Sequence, residues 1–238
     1  MIEAPVRDRL DWRGRRQGRP LRPRRQELVA GLLPRLRVAV PAPDQQLDPF
    51  TLFPDRPREV WLEIGFGSGE HLAEQARRHP DIGFLGCEVF VNGVAALLDH
   101  VDRLGLPNVR IFDDDARLLL PGLTPASLAR AFLLFPDPWP KLRHAKRRFV
   151  GAANLDILAR LLMDGAEFRI ATDDPGYVRW TLQQLFGHPA FGWRATGPRD
   201  WREPPDDWLA TRYQRKAEAA GRRPVFLRFE RRPRGAQG

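Results

Sequence analysis

Short apolar runs alternate with amphipathic stretches from Glu59 onward, and this alternation dominates the hydrophobic pattern of the chain. EVWLEI (59–64), GFLGCEV (83–89), NVRIF (108–112), ARAFLLF (129–135), AEFRIAT (166–172), FGWRA (191–195) and PVFLRFE (224–230) have the length and the β-branched or aromatic content of strands. Between them, HLAEQARR (71–78), VNGVAALLDHVDRL (91–104) and the stretches 147–163 and 175–186 carry apolar residues at helical spacing. Strand and helix in turn predict an α/β fold, a doubly wound, Rossmann-like sheet of about seven mostly parallel strands with helices on both faces. Before Glu59 the pattern is different. Residues 1–26 are rich in Arg and poor in aliphatics, which predicts a mobile arm. Residues 26–37 show a short helical pattern ahead of Pro34, and five prolines between 41 and 58 predict an extended linker. The expected organisation is therefore an arm and linker over 1–58 and one sheet domain over 59–238. Residues 197–222, polar and Trp-bearing, read as a long functional loop.

Composition narrows the class. A chain of 238 residues with 42% hydrophobic content and seven Trp can bury a full core, so global disorder is excluded. A single cysteine excludes a disulfide network and a multi-cysteine zinc site. The five His show no metal spacing, so no metal is expected. No apolar stretch is long enough for a membrane span, and the charged N-terminus has no apolar run behind it. The expected location is the cytoplasm. The net charge of +9 is unevenly spread: residues 1–38 carry +7, KLRHAKRR (141–148) +5 and residues 212–234 +7, which leaves −10 on the rest. An acidic body with three basic patches suggests a polyanionic partner held at defined places.

The first strand runs into LEIGFGSGE (62–70), where Gly65, Gly67 and Gly69 precede a helix. This is where an open α/β sheet binds a nucleotide-like ligand. Dinucleotide enzymes want G-x-G-x-x-G, which would put glycine at position 70, but Glu70 stands there and would repel a pyrophosphate. With Glu63 just before the loop, the pattern suits a cofactor bearing a cationic amino-acid moiety, the chemistry of S-adenosylmethionine. Glu88, 23 residues after Gly65 at the end of the second strand, is placed to accept from ribose hydroxyls. The third strand ends in Asp113, Asp114 and Asp115, one of which could accept from an adenine amino group or cap a helix, and both roles can coexist.

The fourth strand delivers LLFPDPWPKLRHAKRR (133–148). Three prolines stiffen the turn around Asp137 and Trp139, as a catalytic edge requires. Five cations follow with no acid among them, which looks like a phosphate-contacting run. Taken in order, LEIGFGSGE, GCEV, DDDA, FPDPWPKLRHAKRR, ATDDPGY and TRYQ resemble the bacterial tRNA (guanine-N7)-methyltransferase family over roughly residues 59–232. That resemblance implies a class I methyltransferase that moves a methyl group from S-adenosylmethionine to N7 of a guanosine in the tRNA variable loop. The cofactor contacts implied are Glu63, Gly65, Gly67, Glu88, Asp115 and Asp137, with Asp137 also the catalytic residue. The substrate contacts implied are Lys141, Arg143, His144, Lys146, Arg147, Arg148 and Asp173, together with Thr211, Arg212, Tyr213 and Gln214. Gln214 stands where the family usually has Glu. A methyltransferase acting on another RNA and a non-catalytic RNA-binding module on the same fold are the competing readings. The sequence requires no protein partner.

Overall fold

The computed structural model describes residues 16–235. Each predicted strand is present: β1 (Glu59–Ile64), β2 (Ile82–Cys87), β3 (Val109–Phe112), β4 (Leu128–Leu134), β5 (Leu162–Thr172), β6 (Phe191–Trp193) and β7 (Val225–Arg231). They form one sheet in the order β3-β2-β1-β4-β5-β7-β6. Only β7 runs against the others, pairing antiparallel with β5 and β6. The strand order reverses beside β1, so the switch point of the sheet opens at the carboxyl ends of β1 and β4. Residues 60–64 of β1 are all buried, because helices cover both faces of a parallel sheet and leave no polar side to alternate with.

The helices are α1 (Pro23–Gly31), α2 (Leu33–Leu36), α3 (Glu70–Arg78), α4 (Val91–Leu104), α5 (Ala116–Leu119), α6 (Ala152–Leu161), α7 (Pro175–Phe186), α8 (Arg199–Arg202) and α9 (Arg212–Ala219). Two sequence expectations need correction. The helix expected at 147–163 begins only at Ala152, because residues 142–147 form a 3-10 turn, and it ends where β5 begins at Leu162. The long loop expected at 197–222 contains α8 and α9. The Thr211 hydroxyl caps α9 by accepting from the Gln214 N–H at 3.1 Å, a start signal that the charged composition around it obscured.

The mobile arm is also corrected for residues 16–26, while residues 1–15 of that expectation lie outside the described residues. Val91 N–H donates to the Arg16 carbonyl, Gly18 N–H donates to Asn92 Oδ1 at 2.7 Å, and Arg24 pairs with Asp99 and Asp102 on α4. Exposed ion pairs of this kind contribute little, so the apolar side chains that follow carry the docking. Leu33 and Leu36 lie in the core, and Val38 N–H joins the Ile111 carbonyl beside β3. The Pro-rich segment is extended but broken by a turn in which Gln45 N–H donates to the Ala42 carbonyl and by a 3-10 turn at Pro49–Leu52, capped by Asp48. Phe53 then fills the space above Gly83, where a Cβ would stand 2.5 Å from its ring. Packing is therefore continuous across residue 58.

Candidate active site

A cleft of about 450 Å³ opens at the carboxyl ends of β1, β2 and β4 and beside the start of α5. Its floor is the glycine turn. Gly65, Gly67 and Gly69 all have left-handed backbone, with φ of 69°, 58° and 77°, which favours glycine over any residue with a Cβ. Gly69 then begins α3, so the turn feeds directly into helix N–H groups. A Cβ at Gly65 would meet nothing within 4 Å, because that space is the cleft itself. At Gly67 a Cβ would stand 2.9 Å from the Tyr213 ring, which leans on the turn from α9. On the other side the Gly67 carbonyl lies against α4: a Cβ at Gly93 would come within 2.2 Å of that oxygen. Gly93 belongs to none of the motifs legible in the sequence. The available signal was a glycine inside a helix, which costs about 1 kcal/mol against Ala and so needs a packing reason.

Four acids line the cleft: Glu88, Asp115, Asp137 and Asp114, the last buried and paired with Arg16. Glu88 is buried and accepts from the Gly67 and Phe90 N–H groups at 2.7 and 2.9 Å. Burial pushes its carboxyl above the ordinary range, and those backbone donors pull the other way. Asp115 caps α5 through the Arg117 N–H and is ion-paired with the Arg117 guanidinium at 2.6 Å, so its capping role is real and coexists with a place in the cleft wall. Asp137 is exposed at the mouth, and among the described residues its carboxylate has no hydrogen-bond or ion-pair partner.

The loop carrying Asp137 is held from below. Phe135 and Trp139 flank it with φ of 52° and 43°, a conformation that costs about 1–3 kcal/mol per non-glycine residue and persists only where its surroundings enforce it. Arg148 supplies the enforcement. It is 8% exposed, donates to the Pro138 and Trp139 carbonyls at 3.0 Å each, and stacks over Trp180 at 4.8 Å. The expectation that Arg148 meets substrate is therefore corrected: it is a buried clamp, because the loop's turned carbonyls need a donor. Arg147 lines the cleft and stacks on Trp139, and His144 meets the same ring edge-on at 5.9 Å. Lys141, Arg143 and Lys146 of the same run are exposed.

Other expected site residues lie away from the cleft wall. Glu63 is buried, and its carboxylate takes the His71 Nδ1 at 2.7 Å. Asp173 is not the cap of α7, a role filled by Asp174; it is paired instead with Arg222 at 2.5 Å. Thr211 is buried as the α9 cap, and Gln214 is buried with its amide bonded inside the protein, so neither faces the cleft. Of that motif, Tyr213 lines the cleft and Arg212 is exposed.

The donor set decides what the cleft could hold. Carboxylates at three strand ends suit hydroxyls and a cation and disfavour phosphates. The open glycine cradle allows close approach of an adenosyl-amino acid, so the residues present fit S-adenosylmethionine. No helix among the described residues is long and apolar enough to cross a membrane.

Comparison with known proteins agrees with this reading. A family model described as "Putative methyltransferase" matches residues 57–227. A tRNA (guanine-N(7)-)-methyltransferase from Rhodospirillum rubrum is 52% identical over 238 residues, covering 99% of this chain and 93% of that protein. One from Paramagnetospirillum magneticum is 54% identical, covering 93% of this chain and 92% of its own length. Among solved structures, a 16S rRNA (adenine-N1)-methyltransferase with cosubstrate SAM from Catenulisporales acidiphilia has a TM-score of 0.55 at 16% identity, covering 82% of this chain and 96% of that one, a likeness of fold.

Proposed function

We infer that the chain, which belongs to the tRNA (guanine-N7)-methyltransferase family, transfers a methyl group from S-adenosylmethionine to N7 of a guanosine in the tRNA variable loop, forming 7-methylguanosine. The observation that carries this reading is the pairing of an acid-lined cleft with a run of exposed cations. Gly65, Gly67, Glu88 and Asp115 would hold the cofactor, which when bound supplies an electrophilic methyl group on a sulfonium. Equilibrium dialysis tests this directly, with retention of S-adenosylmethionine expected and retention of NAD in its place contradicting it.

Guanine N7 presents a lone pair and carries no proton, so no strong general base is required. What the chain must supply is alignment and charge compensation. The purine becomes cationic as the bond forms, and a carboxylate at the mouth favours that charge. Asp137 fits the role because its oxygens are bonded to no other described residue and its loop is clamped by Arg148. Asp173, whose carboxylate is paired with Arg222, is a weaker candidate.

The exposed cations would take RNA phosphates, and this yields a split among residues of one basic run. Neutralising Lys141, Arg143 or Lys146 singly should reduce the slope of log affinity against log salt by about 0.7–0.9 for each lost phosphate contact. Arg148→Met should leave that slope unchanged while lowering turnover, because it frees the Asp137 loop. Filter binding over a salt series checks both, and a slope change in Arg148→Met with none in the other variants would contradict the assignment.

A further inference from the structure

The geometry points to Gln214 as a positioning residue that sets Tyr213 against the glycine turn, which makes the segment from Asp207 to α9 a fixed wall of the cofactor cleft. The inference rests on the proposed cofactor reading. It begins at the sheet. Arg169 is fully buried on β5, paired with Glu167, and it donates to both Asp207 oxygens at 2.9 and 3.1 Å. That fork pins Asp207, and the next residue, Trp208, packs edge-on against Phe226 with ring centroids 4.7 Å apart. Trp208 Nε1–H donates to Gln214 Oε1 at 2.5 Å, and Gln214 Nε2–H donates to Glu218 Oε1 at 2.9 Å.

An amide is needed at position 214 for both bonds at once. Its oxygen accepts from an indole that can only donate, and its nitrogen donates to a carboxylate that can only accept. A glutamate there could accept from Trp208 but would face Glu218 as a like charge one helical turn away. The neighbouring position on α9 points elsewhere. Successive helix residues are rotated by about 100°, so with Gln214 turned inward toward Trp208 the Tyr213 ring is carried to the cleft. There it lies against Gly67, whose N–H donates to Glu88. The departure from the family's usual Glu is thus compensated inside this chain by Glu218.

A residue that merely stabilises α9 and one that positions Tyr213 can be told apart by a double-mutant cycle read in cofactor binding. The variants are Gln214→Met, which keeps length and loses both bonds, Tyr213→Ala, and the two combined, with direct titration of S-adenosylmethionine and, separately, of tRNA. Gln214→Met is expected to weaken cofactor binding about fivefold, with tRNA affinity changed less than about twofold, and to add nothing to Tyr213→Ala in the double variant. Trp208→Phe, which keeps the ring and removes the donor, should reproduce part of the Gln214→Met loss and guards against misfolding of any single variant. If the wild-type chain binds cofactor but folded Gln214→Met and Trp208→Phe bind it equally well, or if the double variant loses the product of the single effects, this inference alone is overturned. A wild-type chain that binds no cofactor would overturn the underlying reading as well.

Discussion

Asp137→Ala is expected to lower turnover by about 10²-fold or more while cofactor and tRNA still bind, because a preorganised charge aimed at a developing one is worth several kcal/mol in a cleft. Three features of the loop support so large an effect. The carboxylate is exposed at the mouth and paired with no other described residue, so its charge is available to the purine. Its backbone is held between two left-handed residues and strapped by Arg148, so little reorganisation accompanies the reaction. Because the side chain bonds to no other described residue, its loss should leave the melting temperature within a few degrees of the parent. Single-turnover kinetics separate the methyl-transfer step from binding. Asp137→Asn, equal in size without the charge, should fall nearly as far, and near-normal turnover in both variants would remove Asp137 from the mechanism.

Gly93→Ala is expected to cost about 1–3 kcal/mol of stability and to weaken cofactor binding with it. In an ordinary helix interior the same change would stabilise by up to about 1 kcal/mol, so the sign itself is diagnostic. The reversal comes from one contact. The added Cβ would stand 2.2 Å from the Gly67 carbonyl oxygen, a backbone atom that no side-chain rotation can move aside, and 3.3 Å from the Glu88 Cγ. Either α4 lifts away or the glycine turn deforms, and the turn holds Glu88 through the Gly67 N–H. Denaturant unfolding together with cofactor titration checks this, and a variant as stable as its parent with undiminished binding would contradict the close packing of α4 on the turn. Gly31→Ala, within α1 where a Cβ meets nothing within 4 Å, is the control and should be neutral or stabilising by up to about 1 kcal/mol.

Much of this architecture was legible in the residues because local and global signals agree. The strand EVWLEI, three alternate glycines and the helix HLAEQARR name the switch point without any coordinates, and the helix at Val91–Leu104 is bounded as its apolar spacing predicts. What stayed hidden depended on partners distant in sequence. An Arg-rich arm reads as solvated until Asn92, Asp99 and Asp102 on α4 are seen to receive it. Arg147 and Arg148 are adjacent and identical in type, yet one stacks at the cleft and the other is a buried clamp, a difference set by the carbonyls of Pro138 and Trp139. The buried His71 ring on the Glu63 carboxylate is likewise unmarked in the sequence. The charge pattern gained a similar resolution. The acids Glu88, Asp115 and Asp137 line the cleft, Lys141, Arg143 and Lys146 are exposed on the run that leads to Arg147 at its edge, and Arg24 of the basic arm is paired on α4.

The most direct measurement is methyl transfer from labelled S-adenosylmethionine to unmodified bulk tRNA, followed by digestion to nucleosides and their identification. Label in 7-methylguanosine, reduced about 10²-fold or more by Asp137→Ala and retained in a variant of Lys141 or Arg143 at low salt, is the expected result. Folded protein that leaves no 7-methylguanosine, or that places the label in a different nucleoside, would contradict it.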